Sequence, residues 1–67
     1  MQQDQNLQEH EQLLTVKQSA KFLGISISSL YLFMQRGELP YAKFGSARRI
    51  PKAALLAFIR SHMIANR

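Results

Sequence analysis

The run Gly24-Ile25-Ser26-Ile27-Ser28-Ser29-Leu30-Tyr31 decides how this chain folds. A glycine is the residue with which helices most readily end in a left-handed cap. Ser26, two positions on, is of the type that caps a new helix. Before Gly24, Val16, Ser19, Ala20 and Leu23 recur at helical spacing, Phe22 lies on an adjacent flank, and Lys17 and Lys21 share another face. Thr15 followed by Gln18 has the form of a capping box, and Leu14 is placed to fold back as a hydrophobic staple. Beyond Ser26, Leu30, Phe33 and Met34 make a core stripe, and Gly37 closes the helix. Ile25 plugs the tight turn between the two.

Working outward, Glu38-Leu39-Pro40 reads as a turn or short connection, and a strand can start only after Pro40, which lacks an amide donor. Tyr41 to Phe44 and Ala47 to Ile50 flank Gly45-Ser46, a pair suited to a two-residue primed turn. Pro51 suits the first turn of a last helix. There Ala53, Ala54 and Ala57 favour helix, and Leu55, Phe58 and Ile59, with His62 or Met63, are expected to face inward. Residues from Ile64 on are expected to fray. The expected fold class is mainly α with a small β-hairpin: a winged helix-turn-helix of three helices and a two-stranded wing over residues 13–64. Residues 1–12 are Gln-rich, without a sustained apolar period, and are expected to form a disordered polar tail.

Sixty-seven residues suffice for one small domain, whose core must use nearly every large apolar side chain. The lack of cysteine removes disulfides and thiolate metal sites, and His10 and His62 stand far apart without carboxylates at ligand spacing. No metal and no cofactor is expected. No apolar run approaches the ~20 residues of a membrane span, and the polar start is unlike a signal peptide, so a cytoplasmic, nucleoid-associated protein is expected. An enzyme is disfavoured: no nucleophile–base pair, paired carboxylates or phosphate-binding glycine loop is present.

Charge is placed unevenly. Residues 1–14 hold Asp4, Glu9 and Glu11 and no cation, whereas residues 15–67 hold all nine basic residues against Glu38 alone. The folded part is thus more basic than the net +5 of the chain, a field that suits a polyanion such as DNA. A core stripe of Leu30, Phe33 and Met34 leaves Ile27, Ser28, Tyr31 and Gln35 on the outer side of the second helix. A recognition helix reads base edges from such positions: serine hydroxyls bond phosphate or base, Gln pairs with adenine, and Ile27 can touch a thymine methyl. Tyr31 could equally pack against the wing. Lys43, Ser46, Arg48 and Arg49 cluster at the hairpin, where cations serve phosphates or the minor groove; Lys17, Lys21 and Arg36 are further candidates for phosphate contact.

Leu14 to Ser26, Ser29-Leu30-Tyr31, Arg36-Gly37-Glu38-Leu39-Pro40, Phe44-Gly45-Ser46 and Arg48-Arg49-Ile50, ending at Leu55 and Phe58, together resemble the small excisionase-type DNA-binding domains. These are relatives of the MerR-type winged helix and include AlpA-like prophage regulators. The resemblance covers about two-thirds of the chain. It implies the second helix in the major groove, with Ser28, Ser29 and Tyr31 at DNA-contacting positions and Lys43, Arg48 and Arg49 on the basic wing. It further implies either a recombination directionality factor that bends DNA and assists an integrase, or a transcriptional regulator of phage, plasmid or mobile-element genes. The short chain, without an effector segment, tips the expectation toward excisionase, with double-stranded DNA, an integrase and further copies on DNA as partners. Three departures stand out: apolar Ile27 and Leu32 where the family is often polar or basic, Ala47 where the wing often has another Arg, and Ala53-Ala54 at the start of the last helix. Fewer cations flatten the salt dependence of binding. Ile27 and Leu32 also admit a second class of function, a protein-interaction adaptor on a winged-helix scaffold.

Overall fold

The computed structural model describes residues 12–65. Of the polar tail expected over residues 1–12, only Gln12 falls within them. The order of elements is β1 (Leu13–Thr15), α1 (Val16–Leu23), α2 (Ile27–Gln35), β2 (Ala42–Phe44), β3 (Ala47–Pro51) and α3 (Lys52–Ser61). Three helices beside a small antiparallel sheet make this a winged helix-turn-helix.

Helix α1 starts where the capping box demands. The Gln18 amide donates to Thr15 Oγ1 and the Thr15 amide donates to Gln18 Oε1, both at 3.0 Å. Ser19, fully buried one turn into the helix, donates its hydroxyl to the Thr15 carbonyl at 2.8 Å, so a polar side chain enters the core without an unpaired group. The helix ends at Gly24, whose φ of 72° is the left-handed conformation that a β-carbon disfavours. Amides of Gly24 and Ile25 turn back to the Lys21 and Ala20 carbonyls, the paired bonds of a Schellman motif. The same pair recurs after α2, from Gly37 to Met34 and from Glu38 to Phe33. Ser26 caps α2, accepting from the Ser29 amide at 3.1 Å.

The hairpin is tight. Phe44 pairs with Ala47 across Gly45-Ser46, with φ positive at Gly45 but not at Ser46, the sign pattern of a II′ turn. The sheet has one strand more than the two-stranded wing expected, since its order is β1-β3-β2. Leu13, Leu14 and Thr15 pair with Pro51, Ile50 and Arg49, and the Lys52 amide donates to the Gln12 carbonyl at 2.8 Å. Leu14 is therefore a strand residue under the sheet as well as the apolar neighbour of the helix cap. Three residues are too short to show a period of two, so the strand exists through its partner rather than by its own pattern.

Leu14, Ala20, Leu30, Met34, Leu39, Ile50, Leu55 and Phe58 form the core, with Val16, Leu23, Ile25, Phe33 and Ala54 packed against it. Leu39, which the sequence places in a connection, is fully buried. It joins the same core cluster as Leu30, Met34 and Ile50. At the other end the two alternatives separate: His62 packs on the core, whereas Met63 is 72% exposed, beyond the end of α3 at Ser61. His62 is half-exposed and tilts over the Phe58 ring at 4.1 Å between centroids, while Phe33 meets Phe58 edge-on at 5.0 Å. Its Nδ1 lies 2.8 Å from the Phe58 carbonyl. Pro51 is the last residue of β3 and the N-cap of α3, one position earlier than its expected place in the first turn.

Candidate nucleic-acid interface

Helical periodicity sorts α2 into faces. Leu30 and Met34 point into the core and Phe33 is partly buried beside them. The opposite side carries two adjacent i, i+4 rows, Ile27-Tyr31-Gln35 and Ser28-Leu32-Arg36, and all six residues are exposed. This places Ile27, Ser28, Tyr31 and Gln35 on the outer side, as their spacing requires. It also puts Leu32, 46% exposed, in the middle of that surface, beside the Ile27, Ser28, Tyr31 and Gln35 that the sequence offers as base readers. The i+4 relation to Ser28 was available in the sequence and was the signal that identified it. Ser29 sits at the edge, half-buried, with its amide bonded to Ser26 Oγ and its hydroxyl accepting from the Ser26 hydroxyl at 3.0 Å. Its oxygen serves the helix cap.

Strand alternation sorts the wing. Lys43 stands opposite Arg48, and Ala42 opposite Arg49, so Lys43 and Arg48 share one face of the sheet and Arg49 lies on the other. The face of Arg48 is also that of Ile50, the core residue two positions on. This side of the wing turns toward α2. Arg48 accordingly reaches the recognition helix: its Cζ is 5.1 Å from the Tyr31 ring centroid and 5.5 Å from that of Tyr41. Arg49 turns away and donates from Nη1 to the Arg48 carbonyl at 2.9 Å. Lys43, Gly45 and Ser46 are exposed at the tip, and Phe44 is 59% exposed beside them. Tyr41, read from the sequence only as a strand residue, belongs to the site through its ring.

The remaining candidate cations are dispersed. Lys17 and Lys21 are exposed on α1, and Arg36 is the exposed C-cap of α2. Lys21 and Arg36 each stand at the carbonyl end of a helix, where a cation also offsets the dipole. An apolar groove of about 320 Å³ lies among Leu23, Ile25, Phe33, Phe58, Ile59 and Met63. Phe33 is on the far side of α2 from Ser28 and Gln35, so this groove is separate from the exposed rows.

A capped helix presented outward beside a basic hairpin defines the class: a winged helix-turn-helix of the kind that docks on a nucleic-acid duplex. The helix-turn-helix domain family matches residues 13–63, and the chain belongs to it as a small excisionase-type DNA-binding domain. It is similar to a protein of Saccharopolyspora erythraea described as a probable excisionase, 40% identical over 43 residues. That stretch covers 64% of this chain and 44% of the relative, so the chain matches less than half the relative's length. No solved structure matches the chain.

Proposed function

We propose that this protein is a recombination directionality factor: it binds specific sites in double-stranded DNA, bends them and assists an integrase in excising a mobile element. Helix α2 enters the major groove, reading bases with Ile27, Ser28, Tyr31 and Gln35 and adding Leu32 as an apolar contact for a thymine methyl. The wing lies along the adjacent backbone or minor groove, with Lys43 and Ser46 toward phosphates, and Lys17, Lys21, Arg36 and Arg49 extend the contacts. The observation that carries this reading is the alignment of the exposed rows of α2 beside the Lys43–Arg48 face of the wing. The likeness to a probable excisionase supports the recombination role over gene regulation.

The footprint of one module is small, and its cations are few. Each Lys or Arg on a phosphate contributes through counterion release, so an isolated copy with few such contacts binds weakly and with a shallow salt dependence. Several copies loading on adjacent repeats offset that weakness, because each neighbour raises the effective concentration of the next. Such work places the protein on the nucleoid.

A gel-shift titration on DNA flanking its own gene, at low and moderate salt with scrambled competitor, tests the proposal. Discrete complexes that resist the competitor are expected, in a ladder, with anomalous mobility when the site is moved along the fragment. Specific complexes without a mobility anomaly would leave a regulator rather than a bending factor. No complex at low salt would overturn DNA binding and turn attention to Ile27 and Leu32 as a protein-docking face.

A further inference from the structure

Arg48 is the wing residue that one would first assign to a phosphate, yet its surroundings give it different work. Its guanidinium lies within cation–π distance of two rings, Tyr31 from the recognition helix and Tyr41 from the residue just before β2. Arg48 is half-buried, in contrast to exposed Lys43 directly across the strand pair. Its backbone carbonyl is engaged as well, accepting from Arg49. The wing and α2 are separate elements, joined in sequence only through the connection after Gly37, and Arg48 is the side chain that spans them on their exposed side. We infer that Arg48 is a positioning residue: stacked on Tyr31 and Tyr41, it fixes the wing against the recognition helix and holds the Tyr31 ring in place for DNA, while phosphate contact on that face falls to Lys43.

The physical basis is the difference between a planar guanidinium and a point charge. Arg lays a flat, weakly hydrated surface on an aromatic face and retains edge donors; Lys, with a compact and strongly hydrated ammonium, matches the charge without the stack. Two rings at 5.1 and 5.5 Å hold one guanidinium from both elements. This order exists before DNA arrives, so the entropy of fixing the wing is met in folding rather than in binding. A phosphate-contacting Arg would need no aromatic neighbours, and its replacement by Ala would flatten the salt slope.

The inference rests on the DNA-binding reading, and the test separates the two. Affinity for the flanking DNA is measured across a salt series for the wild-type chain and for Arg48→Lys, Arg48→Ala, Lys43→Ala, Tyr31→Phe and Tyr31→Leu. Thermal melting of each variant runs alongside. Arg48→Lys is expected to lose affinity roughly tenfold, as Arg48→Ala does, with the slope of log affinity against log salt unchanged in both. Tyr31→Phe keeps the ring and with it the Arg48 contact in the free protein, whereas Tyr31→Leu loses the contact and the affinity. Lys43→Ala is expected to flatten the slope by about 0.9. In the free protein, the Arg48 δ-protons are expected to show upfield ring-current shifts that vanish in Tyr31→Leu. Full affinity in Arg48→Lys, or a flattened slope in Arg48→Ala, would overturn the inference and return Arg48 to the phosphate. A wild-type chain that binds no DNA would overturn the DNA reading itself, a result that no Arg48 variant is needed to see.

Discussion

Leu14 of β1 stands directly opposite Ile50 of β3, and both side chains are buried under the sheet. The pair ties the segment before the first helix to the strand that carries Arg48 and Arg49. Wing and helix-turn-helix are therefore one packed unit.

Truncating that pair is expected to be costly. Leu14→Ala removes a buried side chain whose cavity cannot readily collapse between sheet and helices, at a cost of about 2–3 kcal/mol. A domain this small has few kcal/mol to lose. Urea titration followed by circular dichroism is expected to show a midpoint shifted far down, whereas Leu13→Ala, at an exposed position in the same strand, shifts it little. Equal effects of the two substitutions would contradict the pairing.

Gly24 is a backbone requirement without a packing one. An added β-carbon there meets nothing within 4 Å, but the residue would have to stay at φ 72°. Gly24→Ala is thus expected to destabilise by about 1 kcal/mol through conformation alone, and Gly24→Asn by less, since Asn tolerates the left-handed region. Melting temperatures of the two variants measure the difference. A cost for alanine much above this would point to a displaced turn.

Ser26 and Ser28 are two positions apart and are expected to separate stability from binding. Ser26→Ala loses the N-cap and about 1 kcal/mol of folding stability. Ser28→Ala, at an exposed side chain with no hydrogen bond among the described residues, is expected to leave stability within about 0.5 kcal/mol and to weaken specific DNA binding severalfold. The paired readouts are a denaturation curve and a gel shift; a Ser28 variant that melts early and binds normally would reverse the assignment.

Leu32 tests the proposed apolar contact between α2 and DNA. Leu32→Ala is expected to fold normally, because the side chain is 46% exposed, and to lose discrimination between a site with thymine and the same site with uracil, which lacks the methyl group. Equal preference in wild type and variant would remove Leu32 from base contact.

Much of this architecture was legible because it is local. The Thr15–Gln18 box, the Ser26 cap, the glycine ends and the Gly45-Ser46 turn each depend on bonds spanning a few residues, so residue type and spacing specify them. The outer side of α2 followed from its core stripe by period alone. Strand β1 did not, because three residues bear no period. The burial of Leu39 depends on a distant sheet, and the exposure of Met63 on where the core ends.

The helices, the turns and the concentration of basic residues after the acidic start follow from residue type and spacing, because short-range hydrogen bonding and charge reside in the residues themselves. Only the tertiary structure decided that Arg48 meets Tyr31 and Tyr41 while Arg49 turns to the opposite face. Alternation along β3 separates the two arginines, but which of them faces the recognition helix depends on burying Ile50, and that choice belongs to the packed core.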